Sequence, residues 1–205
     1  ELVMGLDNKP LVFIQVSGIG LYGDTGEMAV NEDTLLGTDF LAKLAVEWEE
    51  STKVIESVGV RRVIIRPGIV LSARGGILRI IELPFKLFAG GPIGNGKQWW
   101  PWIHIEDLVR AVLHLINDNN ASGPYNFVSK KPSRMDEFGK SLACVSKRPY
   151  WFPTPGFLLR TILGEMSILI LAGQKIVPDK LLNTGFTFKF PDINSALVDI
   201  YNKSD

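Results

Sequence analysis

Two hydrophobic patterns alternate along this chain: short runs of consecutive apolar residues, and longer segments whose apolar residues recur every three or four positions. The first pattern occurs at residues 11–16, 62–66 and 125–128. A short continuous apolar run is typical of a strand buried on both faces of a parallel sheet. The second of these strands ends at Pro67-Gly68, because proline interrupts the hydrogen bonding of a sheet.

The second pattern predicts four amphipathic helices, over residues 39–58, 77–88, 105–117 and 133–145. Thr38 is the expected N-cap of the first helix, and Gly59 is expected to end it. Pro84 is expected to kink or split the second helix. Farther along, residues 157–171 predict another helix, and the aromatic residues of 186–190 predict a short strand.

Strands that alternate with helices predict an α/β fold with a parallel sheet. Three strands make a narrow sheet, and a strand of the fully buried type begins close to the start of the sequence. We therefore expect the neighbour of this strand to be missing. An unpaired edge exposes backbone groups and apolar side chains, so we expect self-association through this sheet edge.

The composition limits the class of partner. Lys and Arg together number 22, as do Asp and Glu, so no net field attracts nucleic acid or an anionic membrane. A single cysteine, Cys144, excludes an internal disulfide and fits a reducing compartment. The first residues do not resemble a signal peptide, and Arg160 and Glu165 interrupt the most apolar segment. We expect a cytoplasmic protein without nucleic-acid or membrane partners.

Two glycine-rich motifs match nucleotide-binding signatures only in part. Residues 18–23 read G-x-G-x-x-G and follow a predicted strand, but no helix is predicted before Thr38 to face a pyrophosphate. Residues 91–97 nearly match a P-loop, but Gln98 stands where a Mg²⁺-binding Ser or Thr is required. We interpret neither motif as a phosphate-binding loop.

A serine-hydrolase triad of Ser17, His104 and Asp107 is a further hypothesis. The nucleophile elbow of such enzymes needs glycine two residues before the serine, whereas Gln15 occupies that position. The two histidines, His104 and His114, and the one cysteine show no metal-ligand spacing, so we expect no metal site.

Residues 90–104 combine a pliable loop with aromatic side chains. Four glycines precede Trp99, Trp100 and Trp102, and His104 follows them. Rigid aromatic walls beside a flexible backbone suit a small-molecule pocket. The residues leave open an alternative, in which the tryptophans pin the loop to the core and His104 caps a helix.

Several motifs together resemble one protein superfamily. Residues 16–26, Val-Ser-Gly-Ile-Gly-Leu-Tyr-Gly-Asp-Thr-Gly, are similar to the serine loop of extended and atypical short-chain dehydrogenases/reductases. Residues 66–72 and 94–108 look like its sugar-nucleotide-epimerase-like branch, the epimerase family proteins. Three shorter motifs between residues 163 and 191 resemble the C-terminal domain of that branch. The resemblance covers essentially the whole chain.

The resemblance implies a fold and a cofactor. It implies the C-terminal part of a Rossmann-type, doubly wound parallel sheet without the first strand, the Gly-rich phosphate loop and two further βα units. Residues 1–130 would form this partial NAD(P)-binding domain, with residues 68–104 as a substrate-side loop. Residues 131–205 would form a small, mostly helical substrate domain. The implied cofactor is NADP or NAD, and we expect this chain alone to bind it weakly or not at all.

The superfamily uses a serine and a Tyr-x-x-x-Lys segment, and the resemblance assigns these roles to residues of this chain. Ser17 matches the serine that orients the reacting oxygen, and Lys43 matches the lysine that holds the nicotinamide ribose. Asp39 stands at the tyrosine position, although a carboxyl group is far more acidic than a phenol. Tyr22 is the candidate substitute as general acid/base. The alternatives are a packed aromatic at Tyr22 and an ordinary surface lysine at Lys43.

The resemblance also implies which residues contact the ligands. The backbone approaches the nicotinamide at Pro67, Gly68 and Ile69. The residues on the substrate side are Trp99, Trp100 and His104. Asp107 is expected to cap its helix rather than to catalyse.

Two functions follow from these assignments. The first is an NAD(P)-dependent epimerase or oxidoreductase that acts on a small substrate, of which a nucleotide-linked sugar is one candidate. The second is a non-catalytic nucleotide-binding or protein-interaction module that has kept the fold and lost the catalytic tyrosine. Asp39 at the tyrosine position favours the second.

Overall fold

The computed structural model describes residues 3–153 and 173–203. The strands of this part of the chain are β1 (Val12–Val16), β2 (Ala29–Val30), β3 (Arg61–Pro67), β4 (Ile69–Leu71), β5 (Trp99–Trp100), β6 (Trp102–His104), β7 (Gly123–Phe127), β8 (Ser133–Arg134) and β9 (Lys175–Ile176). Its α-helices are α1 (Phe40–Glu50), α2 (Ile77–Lys86), α3 (Ile105–Asn117), α4 (Met135–Ser146), α5 (Asp179–Asn183) and α6 (Ile193–Asn202). Short 3-10 helices lie at Val3–Gly5, Ile19–Tyr22 and Lys53–Val58.

The main sheet is parallel and has the strand order β1–β3–β7. The apolar residues Val63, Ile64 and Ile65 are buried along β3, as expected for a central strand covered on both faces. The predicted α/β class is therefore confirmed. Within the described residues β1 pairs with β3 alone, so its other edge is open.

Three two-stranded ladders surround the main sheet and shape the loops at its carboxyl edge. β2 pairs with β9 and β4 pairs with β6, both in parallel, whereas β5 pairs with β8 in antiparallel fashion. The β4–β6 pair places the segment after β3 beside the tryptophan-rich loop. The β5–β8 pair ties that same loop to the start of α4.

The described residues form two large hydrophobic cores. One forms around Trp100, Trp102 and Phe138, between α2, α4 and α6, and contains residues of both predicted domains. The other packs α3 and the 186–188 segment against the main sheet. The division of the chain at residue 130 stays a prediction. No helix within the described ranges is both long and apolar enough to cross a bilayer.

The predicted helix over residues 39–58 is interrupted after Glu50, where a turn leads to the 3-10 helix Lys53–Val58. Side chains of neighbouring strands donate hydrogen bonds to the last carbonyl groups of α1. Gln15 Nε2 donates to the Trp48 carbonyl at 2.6 Å, and Arg62 Nη1 donates to the Glu49 carbonyl at 2.6 Å. These bonds compete with helical hydrogen bonding, so α1 stops there.

The predicted strand over residues 186–190 is wrong, because this segment has no strand conformation. The buried Asp107 carboxylate accepts hydrogen bonds from the backbone N–H groups of Lys189 and Phe190, both at 2.8 Å. It thereby satisfies donors that a neighbouring strand would otherwise have to pair. The predicted helix over residues 157–171 lies outside the described residues.

Candidate functional site

A cavity of about 520 Å³ lies at the carboxyl ends of β1 and β3. Its wall consists of the loop after β1, the first residues of α1, the segment Pro67-Gly68-Ile69, and Pro101 with Gln174. Ligands of open α/β sheets bind outside the carboxyl ends of the strands, and this cavity is larger than three other grooves of the described residues, which measure about 240 to 370 Å³. It is therefore the candidate site.

Ser17 lies directly after β1, at the entrance to this region. Its backbone N–H donates to the Ile65 carbonyl at 2.8 Å, which holds the loop against β3. Its hydroxyl oxygen is buried and has no hydrogen-bond partner among the described residues. Ser17 lines a groove that shares Gly18 and Leu41 with the main cavity. Because an unpaired buried hydroxyl is costly, this group is suited to bind a ligand atom.

The crossing of the chain at Gly68 forms the floor of the cavity. The Gly68 N–H donates to the Phe127 carbonyl at 3.0 Å, and the Ile69 N–H donates to the Pro101 carbonyl at 2.7 Å. Within two residues the chain thus changes its hydrogen-bonding neighbour, from β7 to the segment that leads into β6. A Cβ atom at Gly68 would lie 2.5 Å from the Pro101 carbonyl oxygen, so only glycine fits. The segment Pro67-Gly68-Ile69 lines the cavity, and its predicted contact with a nicotinamide stays a prediction.

Asp39 is the N-cap of α1, where the sequence predicts Thr38. Its Oδ1 accepts a hydrogen bond of 2.9 Å from the Ala42 N–H, and Asp39 is one of the residues that line the cavity. Negative charge at this end of a helix is stabilised by the helix dipole. The carboxylate at the tyrosine position therefore has a structural task of its own.

Tyr22 lies in a buried polar network and does not line the cavity. Its hydroxyl donates to Asn126 Oδ1 at 2.8 Å and accepts from Arg66 Nη1 at 2.9 Å. Burial raises the pKa of Tyr22 above its ordinary value, although the nearby Arg66 guanidinium opposes this shift. The geometry thus favours the packed aromatic over the catalytic phenol.

Lys43 lies on the first turn of α1 with an exposed side chain and is not among the residues that line the cavity. Its backbone N–H donates to the Asp39 carbonyl at 3.1 Å. Contact of its ammonium group with a cofactor ribose stays a prediction.

The tryptophans of the loop have different environments. Trp100 and Trp102 are buried in the core, and Trp102 Nε1 donates to Ser133 Oγ at 2.9 Å. The pinned-loop alternative is therefore correct for these two residues, and Trp100 has no surface to offer a substrate. Trp99 is only partly buried and lines a separate groove of about 240 Å³. The Arg134 guanidinium lies 4.2 Å from the centre of its ring.

His104 is a helix cap and is only 2% exposed. Its Nδ1 accepts a hydrogen bond of 3.1 Å from the Glu106 N–H at the start of α3, and its ring packs on Phe190. Its Nε2 lies 3.3 Å from Asp199 Oδ2. Burial lowers the pKa of His104 below its ordinary value. Nδ1 thus caps α3 and Nε2 lies beside Asp199, and the Ser17 hydroxyl has no hydrogen bond to either nitrogen, which contradicts the serine-hydrolase hypothesis and disfavours a substrate contact.

The side chains of His104, Glu106 and Asp199 lie close enough together to hold a metal ion. However, Nδ1 of His104 accepts a backbone hydrogen bond, which assigns the proton of the neutral ring to Nε2. Lys189 and Lys203 form ion pairs with the two carboxylates, at 2.6 Å to Glu106 and 2.7 Å to Asp199. The cluster is therefore an ion-pair network that joins α3 to α6.

Sequence reasoning missed the buried network around Arg66. Arg66 forms two hydrogen bonds with Glu49, and it also contacts Tyr22. A signal was present, because Gln15, Arg62 and Arg66 are polar residues within runs that predict buried strands. Buried polar groups need partners, so such residues indicate a network even when the partner is unknown.

Comparison with known proteins shows close relatives. The chain is 40% identical over 198 residues to epimerase family protein YfhF of Bacillus subtilis, a match that covers 96% of this chain and 65% of that protein. The crystal structure of human epimerase family protein SDR39U1 (isoform 2) with NADPH has a TM-score of 0.92 at 31% identity, covering 98% of this chain and 68% of that one. For the nucleoside-diphosphate sugar epimerase from Corynebacterium glutamicum, the TM-score is 0.81 at 32% identity, with coverage of 98% and 40%. The chain spans about two thirds of the length of the Bacillus relative.

Two family models match the sequence. Residues 154–200 match a domain of unknown function, DUF1731. Residues 2–128, which include every residue of the cavity wall except Gln174, match the NAD dependent epimerase/dehydratase family. With this match over more than half of its length, the chain belongs to the NAD-dependent epimerase/dehydratase family.

Proposed function

We propose that the complete protein is an NAD(P)-dependent epimerase- or oxidoreductase-like enzyme that transforms a small molecule beside Ser17. The observation that carries the proposal is the buried, unpartnered Ser17 hydroxyl, in a groove that shares Gly18 and Leu41 with the cavity of about 520 Å³. The family match and the NADPH bound by the human relative support it.

The residues present fit the nicotinamide end of such a cofactor. The wall is largely apolar, and the backbone at Gly68 leaves no room for a side chain. A bound nicotinamide would supply or accept hydride there. No described helix begins directly after the glycine-rich loop at residues 18–23, so these residues offer no cradle for the pyrophosphate. We therefore expect this chain alone to bind the dinucleotide weakly or not at all.

Each remaining residue has a defined task in the proposed enzyme. Ser17 donates a hydrogen bond to the substrate oxygen and orients it. Lys43 reaches the ribose from the first turn of α1. Asp39 holds the N-terminus of α1 in place, and Trp99 borders the substrate-side groove.

A second candidate function is a non-catalytic nucleotide-binding or protein-interaction module. Asp39 occupies the tyrosine position and is committed to capping α1, while the Tyr22 hydroxyl is bound within the interior. No phenol therefore lines the described part of the cavity. This observation favours loss of the superfamily's usual general acid.

The test compares cofactor binding by two forms of the protein. NADPH and NADH are titrated by tryptophan fluorescence into the present chain and into a form extended by the upstream coding sequence. We expect binding by the extended form only, followed by turnover that Ser17→Ala abolishes. Thr25→Val is the matched control, since the Thr25 hydroxyl is also buried and unpartnered but, unlike Ser17, Thr25 lines neither the cavity nor the adjoining groove. Cofactor binding without turnover in a substrate screen would support the second candidate, and absence of binding would contradict the first.

A further inference from the structure

One residue of the cavity wall comes from the C-terminal part of the chain. Gln174 lines the cavity together with Gly23 and Asp24 of the loop after β1. It lies within residues 154–200, which match DUF1731, whereas the other wall residues lie within residues 2–128. Both matched regions of the chain therefore contribute to the cavity.

The Gln174 side chain contacts the loop after β1 directly. Its Nε2 donates a hydrogen bond to the Gly23 carbonyl. Gly23 has a φ of 67°, and a Cβ atom there would lie 3.0 Å from Asp39 Oδ2. A side chain at this position would be strained by the positive φ and crowded against Asp39, so the bend requires glycine. Gln174 thus holds the carbonyl of a tight bend that lies beside the N-cap of α1.

The backbone that carries Gln174 is anchored by the residues directly after it. β9 pairs with β2, and the Val177 N–H donates to the Val30 carbonyl at 2.9 Å. The fully buried Asn126 donates from Nδ2 to the Val177 carbonyl at 3.2 Å. Because strand pairing and a buried side chain both hold this segment, the Gln174 amide reaches the loop from a fixed base.

The Gln174 amide has a second hydrogen-bonding atom. Because Nε2 donates to Gly23, the oxygen Oε1 is the atom left for a ligand, and an amide oxygen accepts hydrogen bonds. A nicotinamide ring carries a carboxamide, whose NH₂ group donates them. Gln174 lines the same cavity as Gly68, where the nicotinamide end of the cofactor fits.

We propose that Gln174 binds the nicotinamide end of the cofactor, because its Nε2 holds the loop at Gly23 and its Oε1 accepts a hydrogen bond from the nicotinamide carboxamide. This inference rests on the proposed function, since it adds a residue to the same site. It also gives the region that matches DUF1731 a task, which is to complete the cofactor cavity of the epimerase region.

The test compares ligands with and without a nicotinamide. The extended form is titrated by calorimetry with NADPH and with 2′-phospho-ADP-ribose, or with NADH and ADP-ribose if NADH is the dinucleotide that binds. Gln174→Leu removes both hydrogen-bonding atoms of the amide. We expect affinity for the whole dinucleotide to fall at least about threefold, as for the loss of one or two hydrogen bonds, and affinity for the shorter ligand to stay within about twofold.

Two further variants separate binding from folding. Gln174→Met keeps an unbranched side chain of similar length without the amide, and it should show the same selective loss if Gln174→Leu does not fold. Lys180→Met is the matched control, because Lys180 Nζ donates to the Ser122 carbonyl at 2.6 Å from the same segment but Lys180 does not line the cavity. We expect this control to bind both ligands as the unaltered extended form does. Circular dichroism checks that each variant is folded.

Equal losses of affinity for the two ligands in Gln174→Met would indicate a structural role alone and would overturn the proposal. Unchanged affinity for the whole dinucleotide would overturn it as well, as would an equally large selective loss in Lys180→Met. None of these results affects the proposed function. That function fails, and this inference with it, if the unaltered extended form binds neither NADPH nor NADH.

Discussion

The Arg66 guanidinium donates two hydrogen bonds, of 2.9 and 2.7 Å, to the Glu49 carboxylate in the interior between β3 and α1. Burial lowers the pKa of Arg66, but the Glu49 carboxylate and the Tyr22 hydroxyl more than offset this effect and raise it overall. The third bond of the guanidinium reaches Tyr22, at the base of the loop after β1. One ion pair thus connects the helix that carries Asp39 and Lys43 with the loop that carries Ser17.

Loss of this ion pair should destabilise the protein strongly. Glu49→Ala leaves the buried Arg66 charge without its partner, so we expect the free energy of unfolding to fall by about 3–5 kcal/mol. The matched control is Glu50→Ala, because Glu50 pairs with Lys53 at the surface and exposed pairs contribute about 1 kcal/mol or less. Urea unfolding of both variants measures the difference. Equal losses in the two variants would contradict the structural role of the pair.

His104 should make stability depend on pH. Its pKa is lowered in the folded protein, so the unfolded chain takes up a proton first as the pH falls through about 6.5. The stabilisation is therefore fully present above about pH 6.5 and is lost as the pH falls toward the lowered folded pKa. We expect His104→Asn, which keeps a capping side chain, to flatten this part of the profile. Unfolding measured across this range, with an NMR titration of the ring, tests it; titration above the ordinary value would contradict it.

Replacement of Gly68 should disturb the floor of the cavity. In Gly68→Ala the added Cβ would lie 2.5 Å from the Pro101 carbonyl oxygen, so the β4–β6 crossing must shift. We expect a loss of about 1–3 kcal/mol in the free energy of unfolding, together with loss of cofactor binding by the extended form. Gly75→Ala is the control, since an added Cβ there meets nothing within 4 Å. If Gly68→Ala bound cofactor normally, the floor assignment would be wrong.

The open edge of β1 should cause self-association. Leu11 and Val16 at its ends are exposed, and Phe40, Leu44 and Trp48 expose further apolar surface on α1. We expect the chain to form oligomers in light scattering at micromolar concentrations, and Val16→Lys to reduce them by placing a charge on the edge. Leu113→Lys, on α3, is the control and should have no such effect. A monomer at all concentrations would contradict this prediction.

The bounds of some elements could be predicted directly from the spacing of apolar residues along the chain. Helix α3 has the bounds predicted for it, because its apolar spacing is regular and its capping residues are adjacent in sequence. The helix predicted over residues 39–58, by contrast, is interrupted after Glu50. There Gln15 and Arg62, which lie on neighbouring strands, donate hydrogen bonds to its carbonyl groups. Spacing along one segment carries no information about such distant partners.

By itself, the sequence determined the α/β class, the three main strands and the segments that surround Ser17 and Gly68. These features depend on hydrophobic period and on motifs whose residues are close together in the chain. Only the tertiary structure decided that His104 caps a helix, that Trp100 and Trp102 are buried, and that Tyr22 binds Arg66. Those outcomes depend on contacts between residues far apart in sequence. The identity of a residue does not determine whether its hydroxyl or imidazole faces a cavity or the core.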